Sequence, residues 1–232
     1  INLNSIKTDI LICGGGISGL IMAKSILNLN LGLDVVCIEK NPVSKSDRKD
    51  FDLRTTALLH PAIEFFKEIG IWEKYRSTAQ ALNSLVICNL NKNSEIIDAK
   101  CEFFAKDLNL STLGYNLSNH TILNKLKELL RSEKNFRYFS GDCIENITPR
   151  TFDIVARTKK KDKIISKLII AADGRYSRIR EISKIRNFKY DYNQSALVFT
   201  IKHEYNHESK SYEIYESEGP CTLVPVKTKK FN

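Results

Sequence analysis

Residues 9–19 read DILICGGGISG, an apolar run that stops at three consecutive glycines and meets a fourth at Gly19. A short apolar run bounded by glycines predicts a buried parallel strand. Ile17, Leu20, Ala23 and Leu27 then recur at helical spacing, and a second apolar run from Leu33 to Ile38 ends in Glu39. Together these pieces predict a β-α-β unit. Within it, Gly14, Gly15, Gly16, Ile17, Ser18 and Gly19 match G-x-G-x-x-G. In that pattern Gly14 makes the tight turn, Gly16 lets a pyrophosphate approach the backbone and Gly19 lets helix and strand pack closely. The anion sits on the helix N-terminus, where free N–H groups and the positive end of the helix dipole favour it. Glu39, 20 residues past Gly19, is placed to accept both ribose hydroxyls of an adenosine.

Downstream, Leu58, Leu59, Ile63, Phe66 and Ile69 form a helix-like stripe over 56–69, closed by Gly70. Strands are expected at 85–90 and 95–98. A second helix covers about 119–131, with Ile122, Leu123, Leu126, Leu129 and Leu130 on one face and Ser118 or Asn119 placed to cap it. Segments 142–148, 152–158 and 164–172 read as strands, the last running into Ala171-Ala172-Asp173-Gly174. Segments 194–204, 211–216 and 221–226 read as antiparallel strands, with Gly219-Pro220 as a turn.

Residues 203–207, HEYNH, spell the H-E-x-x-H zinc signature. That motif needs a helix, whereas QSALVFTIKHE alternates β-branched and aromatic residues and predicts a strand ending near His203. Extended backbone would hold His203 and His207 about 13 Å apart, too far to share a zinc at about 2 Å from each. No metal site is expected.

The chain has 232 residues, enough for a core that needs no disulfides. Its six cysteines form no C-x-x-C pair, and Cys13 and Cys37 lie in apolar runs, which fits a reducing cytosol. No stretch approaches the roughly 20 apolar residues of a spanning helix, and the start lacks a secretion signal. The net charge is +9, but the basic residues are scattered. Their one dense run, Lys159 to Lys161 with Lys163, falls where a solvated hairpin tip is expected. Without interleaved aromatics this argues against a nucleic-acid partner and leaves room for attraction to an anionic membrane face.

The stretch from Asp173 to Arg180 fits D-G-x-x-S-x-x-R after a buried strand. Here the sequence resembles the class A flavoprotein monooxygenases, whose second fingerprint is this Asp-Gly motif. Arg54 in FDLRTTALL falls where that family places an FAD-contacting arginine, and IEFFKEIGIWEKY resembles the helix that follows. Three phrases, GYNLSNHTILNKL, YDYNQSALVFTIKHEYNH and SEGPCTLVPV, resemble the ubiquinone-biosynthesis aromatic hydroxylases. The resemblance covers almost the whole chain.

It implies an α/β fold: a Rossmann-like FAD-binding domain with a β-meander, plus part of an antiparallel-sheet substrate domain. Residues 1–82 and 111–182 would build the first, and 83–110 and 183–232 would contribute to the second. Gly14, Gly16 and Gly19 would hold the FAD pyrophosphate, Glu39 the ribose and Arg54 the flavin side. Asp173 would serve FAD and the passing NAD(P)H. The implied reaction transfers one oxygen atom of O₂ to an aromatic ring, here a polyprenylated phenol. A cytoplasmic protein, peripheral at the inner membrane face or in contact with a quinone-biosynthesis complex, is the corresponding setting. No catalytic side chain is assigned, because the cofactor carries the difficult step.

One departure stands out. The family's third fingerprint, a Gly-Asp motif, is absent, and the chain opens on Ile1 and stops soon after Val226. The expectation is a C-terminally truncated member that alone binds FAD poorly and is inactive. The other readings are a non-catalytic FAD-binding fragment, half of a split enzyme, a different class A flavoprotein such as a phenol hydroxylase or prenyl reductase, and an NAD-dependent dehydrogenase. The last leaves Arg54 and the Asp173 motif without a role.

Overall fold

The computed structural model describes residues 5–42, 52–90, 97–216 and 219–227. It divides into two compact units, residues 1–51 with 122–197, and residues 52–121 with 198–232. This grouping differs from the expected division, which placed 52–82 and 111–121 with the nucleotide-binding elements.

The first unit holds the β-α-β element. Strand β2 (Ile10–Cys13) leads into helix α1 (Ile17–Asn28) and strand β3 (Val35–Glu39), and the two strands pair in parallel. Two further strands, β9 (Phe136–Ser140) and β13 (Leu168–Ala171), extend the sheet on either side in the order β13-β2-β3-β9, all parallel. Helix α4 (Asn119–Arg131) precedes β9, with Ile122, Leu126 and Leu130 buried at helical spacing. Its first turn is capped as expected, the Ser118 hydroxyl accepting from the Thr121 N–H at 3.3 Å.

A second sheet in this unit has the order β1-β12-β11-β10, from strands β1 (Ser5–Lys7), β10 (Ile144–Pro149), β11 (Ile154–Thr158) and β12 (Lys163–Ser166). Side chains on a strand alternate between faces. Leu11, Cys13, Val36 and Ile38 therefore share one face of the parallel sheet, and they pack with Ile144, Ala156 and Ile164 of the meander and Ile179 of helix α5 (Arg178–Ile182) in one buried cluster. Helix α1 packs on β2 and β3, burying Leu20 and Ala23.

The expected strand 164–172 is in fact two strands. β12 ends at Ser166, and the chain crosses at Lys167, whose N–H donates to the Asp9 carbonyl at 3.0 Å and whose ammonium meets the Asp9 carboxylate at 2.8 Å. β13 then joins β2 in the other sheet. The basic run 159–161 occupies the turn between β11 and β12, as expected.

The second unit contains a three-stranded antiparallel sheet of β4 (Thr55–Leu59), β8 (Gly114–Ser118) and β5 (Gln80–Leu82). The expected helix over 56–69 begins only at α2 (His60–Glu68), because the β-branched Thr55 and Thr56 start a strand that pairs with β8. Phe66 of α2 lies 5.7 Å, ring to ring, from Tyr75 of helix α3 (Trp72–Arg76), and Trp72 lies 5.0 Å from Tyr115 of β8.

A four-stranded sheet of β6 (Ser84–Leu90), β7 (Ile97–Phe104), β14 (Lys210–Glu216) and β15 (Gly219–Leu223) completes this unit. It is mixed rather than wholly antiparallel, since β14 pairs with β6 in parallel. Residues 95 and 96 of the expected 95–98 strand lie outside the described residues. Gly219 and Pro220, read as a turn, open β15 instead.

The expected strand 194–204 does not form. Residues 186–203 carry no regular structure, and Leu197, Phe199 and Tyr205 are among several exposed large side chains. β-propensity expresses itself through cross-strand neighbours, and no partner strand pairs with this stretch among the described residues.

Candidate functional site

The glycine turn is shaped by its neighbours. Gly14 has φ +113, a backbone conformation that L side chains rarely adopt, and a Cβ there would lie 2.2 Å from the Ala172 carbonyl oxygen. The parallel pairing of β13 with β2 creates that closeness, and the Ala172 N–H donates to the Cys13 carbonyl at 2.7 Å. A Cβ on Gly19 would lie 1.9 Å from the Gly14 carbonyl oxygen. Gly16, by contrast, would meet nothing within 4 Å. It is the N-cap of α1, and no side chain caps the helix there. The first turn of a helix leaves backbone N–H groups without intrahelical partners, here those of Ile17, Ser18 and Gly19, and the space beside Gly16 is unfilled.

Glu39 points at this turn. Its Oε2 accepts from the Gly15 N–H at 2.6 Å and its Oε1 from the Asn41 N–H at 2.9 Å. Each oxygen keeps a further lone pair for a ligand hydroxyl.

Asp173 stands on the other side of the turn. Its Oδ2 accepts from the Ile179 N–H at 3.0 Å, while its Oδ1 is buried without a hydrogen-bond partner. A buried, unpaired carboxylate oxygen is costly, and a bound hydroxyl or N–H would relieve it. The rest of the Asp-Gly motif shapes this loop. Ser177 caps α5 by accepting from the Arg180 N–H at 3.1 Å, and the Arg180 guanidinium donates to the Arg175 carbonyl at 3.0 Å. Gly174 takes φ +82.

Gly14 to Gly19, Glu39 and Asp173 thus come together within the first unit. Arg54 belongs to the second, where its guanidinium grips Asp52 at 2.8 and 2.9 Å and its N–H donates to the same carboxylate. That grip holds the Asp52 carboxyl below its ordinary range and raises the Arg54 guanidinium.

Tyr138, on β9, is a residue the sequence reading missed. A Cβ on Gly15 would lie 2.5 Å from its hydroxyl and 2.8 Å from the Glu39 Cβ, so the ring lies against the turn. Burial, then the nearby Cys37 and Glu39, raises its hydroxyl's pKa. Lys127 of α4 sits 5.9 Å from the ring centroid. The available signal was the aromatic alternation of FRYFS after the α4 helix, which reads as the strand β9 proves to be.

Beneath the turn, burial pushes the Cys13 and Cys37 thiols up to about 12, helped at Cys13 by Asp173 and at Cys37 by Glu39. Thiolate is the reactive form. In the folded protein at pH 8, Ellman's reagent should therefore label the exposed Cys101 and Cys221 and spare Cys13 and Cys37. Peptide mapping by mass spectrometry checks this, and fast labelling of Cys37 would contradict it.

The HEYNH segment is not helical. His203 and Glu204 lie in exposed irregular chain, and His207 Nδ1 accepts from the Ser209 N–H at 3.0 Å. Among the described residues no group of three or more His, Cys, Asp or Glu is placed to hold a metal. No helix among them is long and apolar enough to cross a membrane.

A parallel β-α-β sheet whose glycine turn is hydrogen-bonded by a strand-end acid and lies against an Asp-Gly loop defines a dinucleotide-binding domain. The chain belongs to the FAD binding domain family, which matches residues 7–232. It is 24% identical over 224 residues to the ubiquinone hydroxylase UbiM of Neisseria meningitidis, covering 96% of this chain and 48% of that protein. It is also 24% identical over 224 residues to the 3-demethoxyubiquinol 3-hydroxylase of Escherichia coli K12, covering 94% and 54%. The chain spans about half the length of these curated relatives. Its fold is similar to that of Pseudomonas aeruginosa PqsL in complex with 2-aminobenzoylacetate, with TM-score 0.72 at 16% identity over 96% of this chain and 58% of that one. The FAD-binding fold expected from the glycine and Asp-Gly motifs is the one found.

Proposed function

We propose that Gly14 to Gly19, Glu39 and Asp173 hold FAD, and that the protein uses it with NAD(P)H and O₂ to hydroxylate a polyprenylated phenol of ubiquinone biosynthesis. The observation that carries the cofactor assignment is the partnerless Asp173 Oδ1, buried beside a glycine turn that is open at Gly16. The relatives' names carry the substrate class.

In this reading the α1 N-terminus takes the pyrophosphate, Glu39 the adenosine ribose, and Asp173 a hydroxyl of the cofactor. FAD, when bound, supplies the electron transfer from NAD(P)H and the activation of O₂. A polyprenyl substrate is delivered from lipid, so the setting is the cytoplasmic face of a membrane, beside other enzymes of the same pathway.

The test is a flavin-fluorescence titration followed by turnover with NAD(P)H and a short-chain prenylphenol under ¹⁸O₂. Saturable FAD binding competed by ADP, with ¹⁸O in the ring, is the result this reading requires, and it would overturn the expectation that the chain alone binds FAD poorly and is inactive. FAD binding without ring ¹⁸O would favour a non-catalytic FAD-binding fragment over a hydroxylase. No FAD binding would sink the reading altogether.

A further inference from the structure

Away from the glycine turn, the first unit has a cavity at the open edge of the meander, lined by Glu145, Asn146, Arg157, Thr158, Lys161 and Arg178, with a volume of about 440 Å³. Local irregularities of the fold meet there. The pairing of β10 with β11 slips between Ile144 and Asn146, leaving Glu145 without a cross-strand partner. Such bulges re-aim side chains and cluster at functional positions. Asn146 lies opposite Arg157 in the ladder, so both stand on the face turned away from Ala156 and the core. Lys161 takes φ +76 in the β11–β12 turn. Helix α5 packs against β10, bringing Arg178 to the same rim.

The charge balance selects the ligand. Three cations face one carboxylate, and that carboxylate, Glu145, is already 3.4 Å from the Lys161 ammonium. Among the described residues, neither Arg157 nor Arg178 forms an ion pair, whereas Arg54, Arg76 and Arg150 each meet an acid. Two uncommitted guanidiniums at one cavity suit a tetrahedral, multiply charged oxyanion, which the Arg fork binds in bidentate fashion. Asn146 adds a neutral donor at the rim. The volume leaves room for an organic group beside the anion.

We infer that this cavity binds the phosphoryl group of a phosphate ester, through Arg157, Arg178 and Lys161. The ester is either a free metabolite or the headgroup of an anionic lipid at a membrane surface. The inference rests on the meander edge and the first residue of α5, and does not use the FAD reading.

Glycerol 3-phosphate and phosphatidylglycerol vesicles present the same ester in the two settings. Calorimetric titration of glycerol 3-phosphate, and co-sedimentation with vesicles of phosphatidylglycerol in phosphatidylcholine, are compared between the natural chain and the Arg157→Ala/Arg178→Ala double variant. The glycine turn is unchanged in both proteins, so a difference reads this cavity. Saturable glycerol 3-phosphate binding that weakens at least about tenfold in the double variant establishes a free-ester site. Co-sedimentation that requires phosphatidylglycerol and is lost in the double variant, without binding of the free ester, establishes a lipid-headgroup site. Binding of neither, or binding equal in both proteins, overturns the inference. The Arg157→Lys/Arg178→Lys variant keeps the charge and removes the fork. Recovery of only part of the affinity there, with unchanged circular dichroism, separates bidentate recognition from general attraction and from misfolding.

Discussion

Replacing Gly19 with alanine is expected to remove measurable FAD binding and to destabilise the first unit by about 1–3 kcal/mol, the range of an overpacked buried position. The added methyl would sit 1.9 Å from the Gly14 carbonyl oxygen, which is backbone and cannot swing aside as a flexible side chain can. The helix would have to tilt away from β2, and the opening at Gly16 would move with it. Gly16→Ala is the matching control, since a Cβ there meets nothing within 4 Å of the protein itself. That variant should unfold at the same urea concentration as the natural chain and still lose FAD affinity, because the methyl enters the space assigned to the pyrophosphate. Flavin-fluorescence titrations and urea midpoints read both effects. Natural affinity in the Gly16 variant would mean that the pyrophosphate lies elsewhere.

The second large effect is expected at Glu39. The alanine variant loses the acceptor of the ribose hydroxyls and, with it, the acceptor of the Gly15 and Asn41 N–H groups. A hydrogen bond involving a charged group contributes about 1.5–3 kcal/mol. FAD should therefore bind about 10- to 100-fold more weakly. Glu39→Gln keeps one oxygen for the Gly15 N–H but sets an amide NH₂ where Oε1 accepts from the Asn41 N–H, so it should fall between the two. AMP competition gives an independent readout, since it reports on the ribose end alone. If Glu39→Ala weakens FAD while leaving AMP inhibition of its binding unchanged, the carboxylate organises the turn rather than contacting the sugar.

Much of the first unit was legible because its signals are local. The run Ile10 to Cys13, the helical recurrence from Ile17 and the run ending at Glu39 each name their element without help from distant residues. The Ser118 cap is equally local. What could not be read was whatever depends on pairing. The stretch IISKLIIA contains no breaker, so nothing in it announces that Lys167 passes the chain from one sheet to another; the Asp9 contacts that mark the crossing come from far away in sequence. The strand expected at 194–204 has the composition of a strand but finds no neighbour among the described residues. Thr56 falls within the expected helical stripe because Leu58 and Leu59 suit both periods. Of the candidate site, the glycines and acids were recognisable by motif. Their contact with one another was not, and neither was Tyr138, whose importance comes only from lying beside Gly15.

The wall that confines Gly14 is the carbonyl of Ala172, a residue translated long after the glycine turn itself. A ribosome releasing this polypeptide exposes the turn and its helix first, yet the pocket they belong to lacks a side until β13 has emerged and inserted beside β2. Late parallel pairing of this kind is slow, because closure of a long intervening loop must precede it. Cofactor capture during synthesis therefore has to wait for that strand, and a nascent chain stalled before it should leave the ribosome's tunnel colourless.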